Sequence, residues 1–340
     1  MEVSLAILAM NKIRVLVALA VSCWFLRTSS QTNSPHRQFE LHAEVPQFWS
    51  LVARDTKLET FATGFGFTEG PVWDASGFLY VSDETQNKIF RVYPGGRKEK
   101  VVSLGDPDGS TYDRQQRLLD CASALRAIIR IGTDGNYTVL TDRFEGKKFN
   151  SPNDVVIGPD GAIYFTDPTL DLPAGETQEI PFQGVYRLSE NGEVRLLTKD
   201  LLQPNGLAFS PDGKRFYVDD SERKNVRVYD FLPDATLTNG RIFGDEQGAK
   251  GEGVPDGMKV DLQGNLFITG PKGVWVWDAL GHHLGTIVMP EQPANIAWGD
   301  AGYGTLYVTA ATSVYRLRTK TRGFLPYLAA SSRAAHVSRR

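Results

Sequence analysis

Six side chains that end in oxygen head six similar stretches of this 340-residue chain: Glu69, Asp108, Asn153, Asn205, Asp256 and Asn295. They recur at intervals of 39 to 52 residues, and each opens an apolar run. Four of them follow proline (Pro107, Pro152, Pro204, Pro255), which fixes the backbone just before the lead residue. If the six converge, acids and amides form a ring of oxygen donors. Such a ring suits a hard divalent cation such as Ca²⁺, Mg²⁺ or Mn²⁺, or a polar ligand. Asn-Gly and Asp-Gly are also turn dipeptides, so any single position says little. Glu69-Gly70-Pro71 is not a usual turn sequence and argues most strongly.

The surrounding pattern says what positions them. After each lead residue comes a strand, a turn and a second strand ending in a small or acidic residue. The first repeat runs through Val72-Trp73 to Phe78-Leu79-Tyr80-Val81-Ser82-Asp83, and the third through Val155-Val156-Ile157 to Ile163-Tyr164-Phe165-Thr166-Asp167. The runs are rich in Val, Ile, Phe and Tyr, and Pro-Asp-Gly turns stand at 159–161 and 211–213. A third strand follows each pair, often alternating apolar residues with Arg or Lys as a half-wet strand does. All-strand repeats of this length predict a six-bladed β-propeller. No clear outer strand follows the sixth repeat. Leu58-Glu59-Thr60-Phe61, just before the first, is therefore expected to close the last blade and leave no open edge there. In a propeller the first strand of each blade lines the central channel, so the six lead residues meet at one mouth of it. Besides the lead residues, Asp108 and Asn295 among them, Asp167 is expected at that mouth.

Composition bounds the function. A net charge of -3 gives no basic excess for nucleic acid, and five scattered histidines argue against a histidine-built zinc site. There is no Gly-x-Ser-x-Gly elbow and no Walker A loop. Lys12 and Arg14 precede an apolar run over 15–26 and a small polar exit, which reads as a secretory signal and predicts a secreted or periplasmic protein, translated from Met1 or Met10. An uncleaved anchor and a lipoprotein at Cys23 are the alternatives; the run is short for a membrane span. After cleavage Cys121 is the only cysteine, in a strand pattern. The expected organisation is a signal over 1–30, a lead-in over 31–54, the propeller over 55–322 and a tail over 323–340.

Five motifs carry a resemblance to a known family. Phe67-Thr68-Glu69-Gly70-Pro71-Val72-Trp73, Ser151-Pro152-Asn153-Asp154-Val155, Phe165-Thr166-Asp167-Pro168, Pro204-Asn205-Gly206-Leu207 and Pro255-Asp256-Gly257-Met258 resemble the gluconolactonase, regucalcin and luciferin-regenerating-enzyme family. The resemblance implies one catalytic divalent cation (Ca²⁺ first; Mg²⁺, Mn²⁺ or Zn²⁺ otherwise) and hydrolysis of a small-molecule lactone. It implies Glu69, Asn205 and Asp256 as cation ligands, Asp256 as general base, and Asn153 with Ser151 as substrate contacts. Ser151 stands where the regucalcin branch carries arginine. Ala122-Ser123 stands where many bacterial gluconolactonases carry Glu-His after the cysteine. Both departures bear on the substrate more than on the reaction. Two rivals remain, a hydrolase of other lactones or esters and a non-catalytic propeller that binds ligands on the same mouth. An apolar pocket over the cation would favour ester hydrolysis, and a polar rim a sugar lactone.

Overall fold

The computed structural model describes residues 37–329. The expected signal segment lies outside the described residues. Among the described residues no helix is long and apolar enough to cross a membrane.

Six antiparallel sheets, each of four strands or more, follow one another along the chain as blades. Blade 1 comprises Thr68–Asp74, Phe78–Asp83, Lys88–Val92 and Lys98–Ser103. Blade 2 comprises Pro107–Tyr112, Leu118–Ala122, Ala127–Ile131 and Tyr137–Thr141. Blade 3 comprises Val155–Ile157, Ile163–Asp167, Gly184–Leu188 and Val194–Thr198. Blade 4 comprises Pro204–Phe209, Arg215–Asp220, Asn225–Phe231 and Leu237–Asp245. Blade 5 begins with Met258–Val260, Leu266–Gly270, Gly273–Trp277 and His283–Val288. Blade 6 takes Pro293–Gly299, Thr305–Ala310 and Ser313–Arg318 from the end of the chain and Leu58–Thr63 from its start. Leu58 pairs with Leu317 and Thr63 with Ser313, so the ring is closed by the N-terminal strand as the sequence predicts.

Two pieces of the lead-in are built into the body. Glu40–Ala43 adds a fifth strand to blade 5, with Glu40 opposite Val288. The short helix Phe48–Leu51 buries Phe48 and Leu51 in the cluster that joins blades 5 and 6. Burying a phenylalanine contributes about 2–3 kcal/mol, which offsets part of the entropy of ordering this segment. His282-His283 reads as a turn in sequence, yet His283 begins a strand. Its ring stacks on Trp275 at 4.4 Å, which holds it in the ladder.

The core lies between blades. Trp298 of blade 6 is fully buried and donates its indole N–H to the Val260 carbonyl of blade 5 at 3.1 Å. Tyr164 of blade 3 meets Phe209 of blade 4 edge to face at 4.9 Å. Beyond Gly323 the chain turns under the ring. Phe324 N–H donates to Val260 O, and Tyr327 packs edge-on against Tyr112 of blade 2. Residues 324–327 and the inner strands enclose a cavity of about 40 Å³, mostly apolar, with Lys259 in its wall.

The inner strands are irregular where the chemistry sits. The ladder slips between Glu69 and Val72, Pro107 and Ser110, Pro204 and Leu207, and Pro293 and Asn295. Glycine follows four of the lead residues, Glu69, Asp108, Asn205 and Asp256, and serves the close approach of neighbouring blades. A Cβ on Gly206 would lie 2.1 Å from the Asp256 carbonyl oxygen, and one on Gly70, itself at φ +46°, 2.2 Å from the Asp108 oxygen. These glycines therefore let the backbones of neighbouring blades touch at the channel mouth.

Candidate functional site

The lead residues do converge, and four of them are tied in two pairs across blade boundaries. Asn295 Nδ2 of blade 6 donates to Glu69 Oε2 of blade 1 at 2.8 Å. Asn153 Nδ2, at the head of blade 3, donates to Asp108 Oδ2 of blade 2 at 2.7 Å. Gly70 N–H also donates to Glu69 Oε2, at 2.6 Å, so both of these bonds fall on one oxygen. Ser123 Oγ holds Asp108 Oδ2 from behind at 3.3 Å. Glu69, Asp108, Asn153, Asn205 and Asn295 are buried, and Asp256 is half-buried.

Electrostatics set this mouth apart. Burial and the nearby Asp154 push the Glu69 carboxyl up to about 7, against Gly70, Asn295 and Lys259, which favour its charged form. Asp108 is pushed well above the carboxylate range by burial, then by Glu84, Glu69, Asp171 and Asp256. Asp256 is pushed up by burial, then by Glu69, Asp219, Asp154 and Asp171. Buried acids that repel one another this way are relieved by a cation. Asn205 Oδ1 is buried without a hydrogen-bond partner, an unmet demand for a positive neighbour. Among the described residues no three His, Cys, Asp or Glu side chains make a cation site by themselves. The expected set has two carboxylates and one amide, and its all-oxygen chemistry fits a hard divalent ion.

Two expected contacts are turned elsewhere. Ser151 is fully buried; its Oγ donates to Pro168 O at 2.8 Å and accepts from Asp171 N–H at 3.1 Å. It shapes the loop after blade 3's second strand and does not face the channel. Asp167 is likewise away from the mouth. Its neighbour Thr166 donates to Asn205 O at 2.8 Å, so strand alternation sends Asp167 to the opposite face, where Oδ2 accepts from Asn150 N–H at 2.9 Å. Burial there pushes the Asp167 carboxyl up to about 8. Asp83 and Asp220 take the same place in blades 1 and 4, accepting from Gly66 and Leu202 N–H. These acids clamp the incoming loops.

Lys259 was not singled out in the sequence. Its Nζ donates to Asn295 Oδ1 at 3.3 Å, below the ring, so a chain of contacts runs Lys259, Asn295, Glu69. It alternates with buried Met258 and Val260, and a charged residue at that register of an inner strand was the available signal. Cys121 is buried in the apolar cluster of blades 2 and 3, and burial raises its thiol far above reactivity.

The profile of the SMP-30/Gluconolactonase/LRE-like region matches residues 67–312. A gluconolactonase of Zymomonas mobilis is 34% identical over 308 residues, covering 82% of this chain and 85% of that protein. A pentonolactonase of Haloferax volcanii is 28% identical over 251 residues, covering 72% and 81%. The solved structure of a gluconolactonase from Xanthomonas campestris superimposes with a TM-score of 0.76 at 29% identity, covering 84% of this chain and 98% of that one.

Proposed function

The chain belongs to the SMP-30/gluconolactonase/LRE-like family, and from that membership and the oxygen-lined channel mouth we propose that it hydrolyses a sugar lactone with one divalent cation. The observation that carries this reading is the unpartnered Asn205 Oδ1 beside buried, mutually repelling acids. Glu69, Asn205 and Asp256 would hold the ion, with Ca²⁺ the first expectation. Bound there, it would supply Lewis acidity toward the lactone carbonyl and lower the pKa of water.

The chain's own residues do the rest. Asp256, half-buried and open to the channel, takes the proton of the attacking water and returns it to the ring oxygen as the C–O bond breaks. Asn153, oriented by its donation to Asp108, holds a substrate oxygen, a contact worth about 3 kcal/mol if it strengthens in the transition state. Asn295 and Gly70 fix the Glu69 carboxylate. The acids and amides of the mouth favour a polyhydroxylated lactone over an apolar ester. Export through the signal over 1–30 is part of the proposal, carried by Lys12, Arg14 and the apolar run that follows.

The test is acid release from glucono-1,5-lactone in a pH-stat. Metal-stripped protein should be inactive, and restored Ca²⁺, Mg²⁺, Mn²⁺ or Zn²⁺ should recover turnover in the wild type but not in Glu69→Ala. Full activity after stripping, or in folded Glu69→Ala, would refute the cation's role. No activity on any lactone would leave a binding protein.

A further inference from the structure

The joints between blades are built alike, and one of them lacks its ring. At one level of each joint a residue of a blade's second strand meets a residue of the next blade's first strand. Tyr80 meets Tyr112, Tyr164 meets Phe209, Phe267 meets Trp298 and Tyr307 meets Trp73, with ring centres 4.9 to 6.2 Å apart. Between blades 4 and 5 Tyr217 shares a cluster with Val260 and meets Phe243 edge to face at 5.0 Å. Between blades 2 and 3 the same two positions hold Leu119 and Ile157, both aliphatic. Across the ladder Tyr80, Tyr164 and Tyr307 each pair with an arginine of the third strand: Arg91, Arg187 and Arg316. Leu119 pairs with Arg130 in that register and offers it no phenol.

Arg130 lines a groove of about 730 Å³ between blades 2 and 3, within the usual size of a small-molecule site. Ile157, Ile163 and Leu188 give the groove an apolar side. Its turns, at 113–117 and 158–162, follow the ends of first strands that begin at Asp108 and Asn153, so it lies away from the channel mouth. Asp113 Oδ2 is shared by Arg117 at 2.7 Å and Arg130 at 3.3 Å. Asp160 Oδ2 takes Arg187 through Nε at 2.8 Å and Nη2 at 2.7 Å. Arg114 reaches across the joint to the Gly158 and Pro159 carbonyls at 3.2 and 3.1 Å. Its Nε, like that of Arg130, is buried and makes no hydrogen bond. The other acids of the lining, Glu190 and Glu193, are exposed on a turn.

We propose that this groove is a second ligand site, which takes a small planar aromatic carboxylate. The ring occupies space that a tyrosine fills in blades 1, 3 and 6, against Ile157 and Leu188. The carboxylate accepts from the guanidinium groups of Arg114 and Arg130. Guanidinium both forks onto carboxylates and stacks on aromatic faces. A polyhydroxylated lactone has no comparable apolar face to bury there.

The experiment is calorimetric titration of the cation-loaded full chain with naphthalene-2-carboxylate and with its neutral amide. The acid should bind with a Kd of about 1 mM or below, and the amide at least about tenfold more weakly. Leu119→Tyr returns the ring that the other blades carry and should abolish binding, and Arg130→Gln should weaken it about tenfold. Saturating gluconate should leave the titration unchanged. Circular dichroism checks that the variants fold; if Leu119→Tyr does not, Arg130→Gln and the amide decide. No saturable binding up to about 10 mM, equal binding of acid and amide, displacement by gluconate, or undiminished binding in the folded variants overturns the site. The site does not depend on the hydrolytic reading: a chain that binds the acid as stated but turns over no lactone keeps the groove and loses that reading alone.

Discussion

Replacing Glu69 with glutamine separates the cost of its charge from the value of its shape. The Glu69 carboxyl stands at about 7 in the folded protein against an ordinary 4.5. A group raised in this way favours folding fully below pH 4.5, and that contribution is lost as pH rises through about 7. The shift corresponds to a loss on the order of 3 kcal/mol in the cation-free protein by pH 8. Glutamine keeps an oxygen where Gly70 N–H and Asn295 Nδ2 donate, but it does not ionise. Metal-stripped Glu69→Gln should match the wild type near pH 4.5 and exceed it by up to about 3 kcal/mol at pH 8. Excess Ca²⁺ should restore the wild type at pH 8 and leave the variant unmoved, because stabilisation follows binding to the native state. Urea unfolding across this pH range, with and without Ca²⁺, measures both effects. Parallel pH profiles for the two proteins, or equal gains from Ca²⁺, would refute the assignment of Glu69 as a buried acid poised for a cation.

Two other substitutions probe how the mouth is held. Lys259→Met removes the ammonium that meets Asn295 Oδ1 beneath Glu69; it should weaken Ca²⁺ binding by about tenfold in calorimetry while Lys259→Arg retains most of it, and unchanged affinity in folded Lys259→Met would dismiss the contact. Gly206→Ala puts a Cβ 2.1 Å from the Asp256 carbonyl. It should cost about 3 kcal/mol or more of stability, or displace Asp256 and abolish turnover, and a stable, fully active variant would show that this close approach is not required.

Much of the architecture was legible because strands declare themselves by alternation. The repeated acid-or-amide lead, the two apolar runs behind it and the strand Leu58–Thr63 were readable from residue order alone. What escaped had physical causes. Glu40–Ala43 is too short for its alternation to register, and it forms because blade 5 offers an edge at His283–Val288. Asp167 sits next to Thr166, which faces the next blade, and in extended chain one position decides the face; Ser151 is drawn into the loop that follows the second strand of blade 3. Glycine after the lead residues looks like turn chemistry in sequence, but the contact that requires it belongs to the neighbouring blade. The convergence of Glu69, Asp108, Asn153, Asn205, Asp256 and Asn295 was legible. Which oxygens are engaged and which are left over was not, because that depends on pairs such as Asn295 with Glu69, 226 residues apart.

The segment under the ring has a mechanical meaning. Phe324 is fastened to blade 5 and Tyr327 to blade 2, and these blades stand across the ring from each other. A hoop of six wedges held only edge to edge can go oval by small slips at every joint. A strut across its diameter removes that freedom along one axis. Glu69 and Asp256 sit on different wedges of the hoop, so the distance between them is kept by the strut as well as by the joints. Residues 324–327, far from the acids in sequence, thereby help to hold the gauge of the opening.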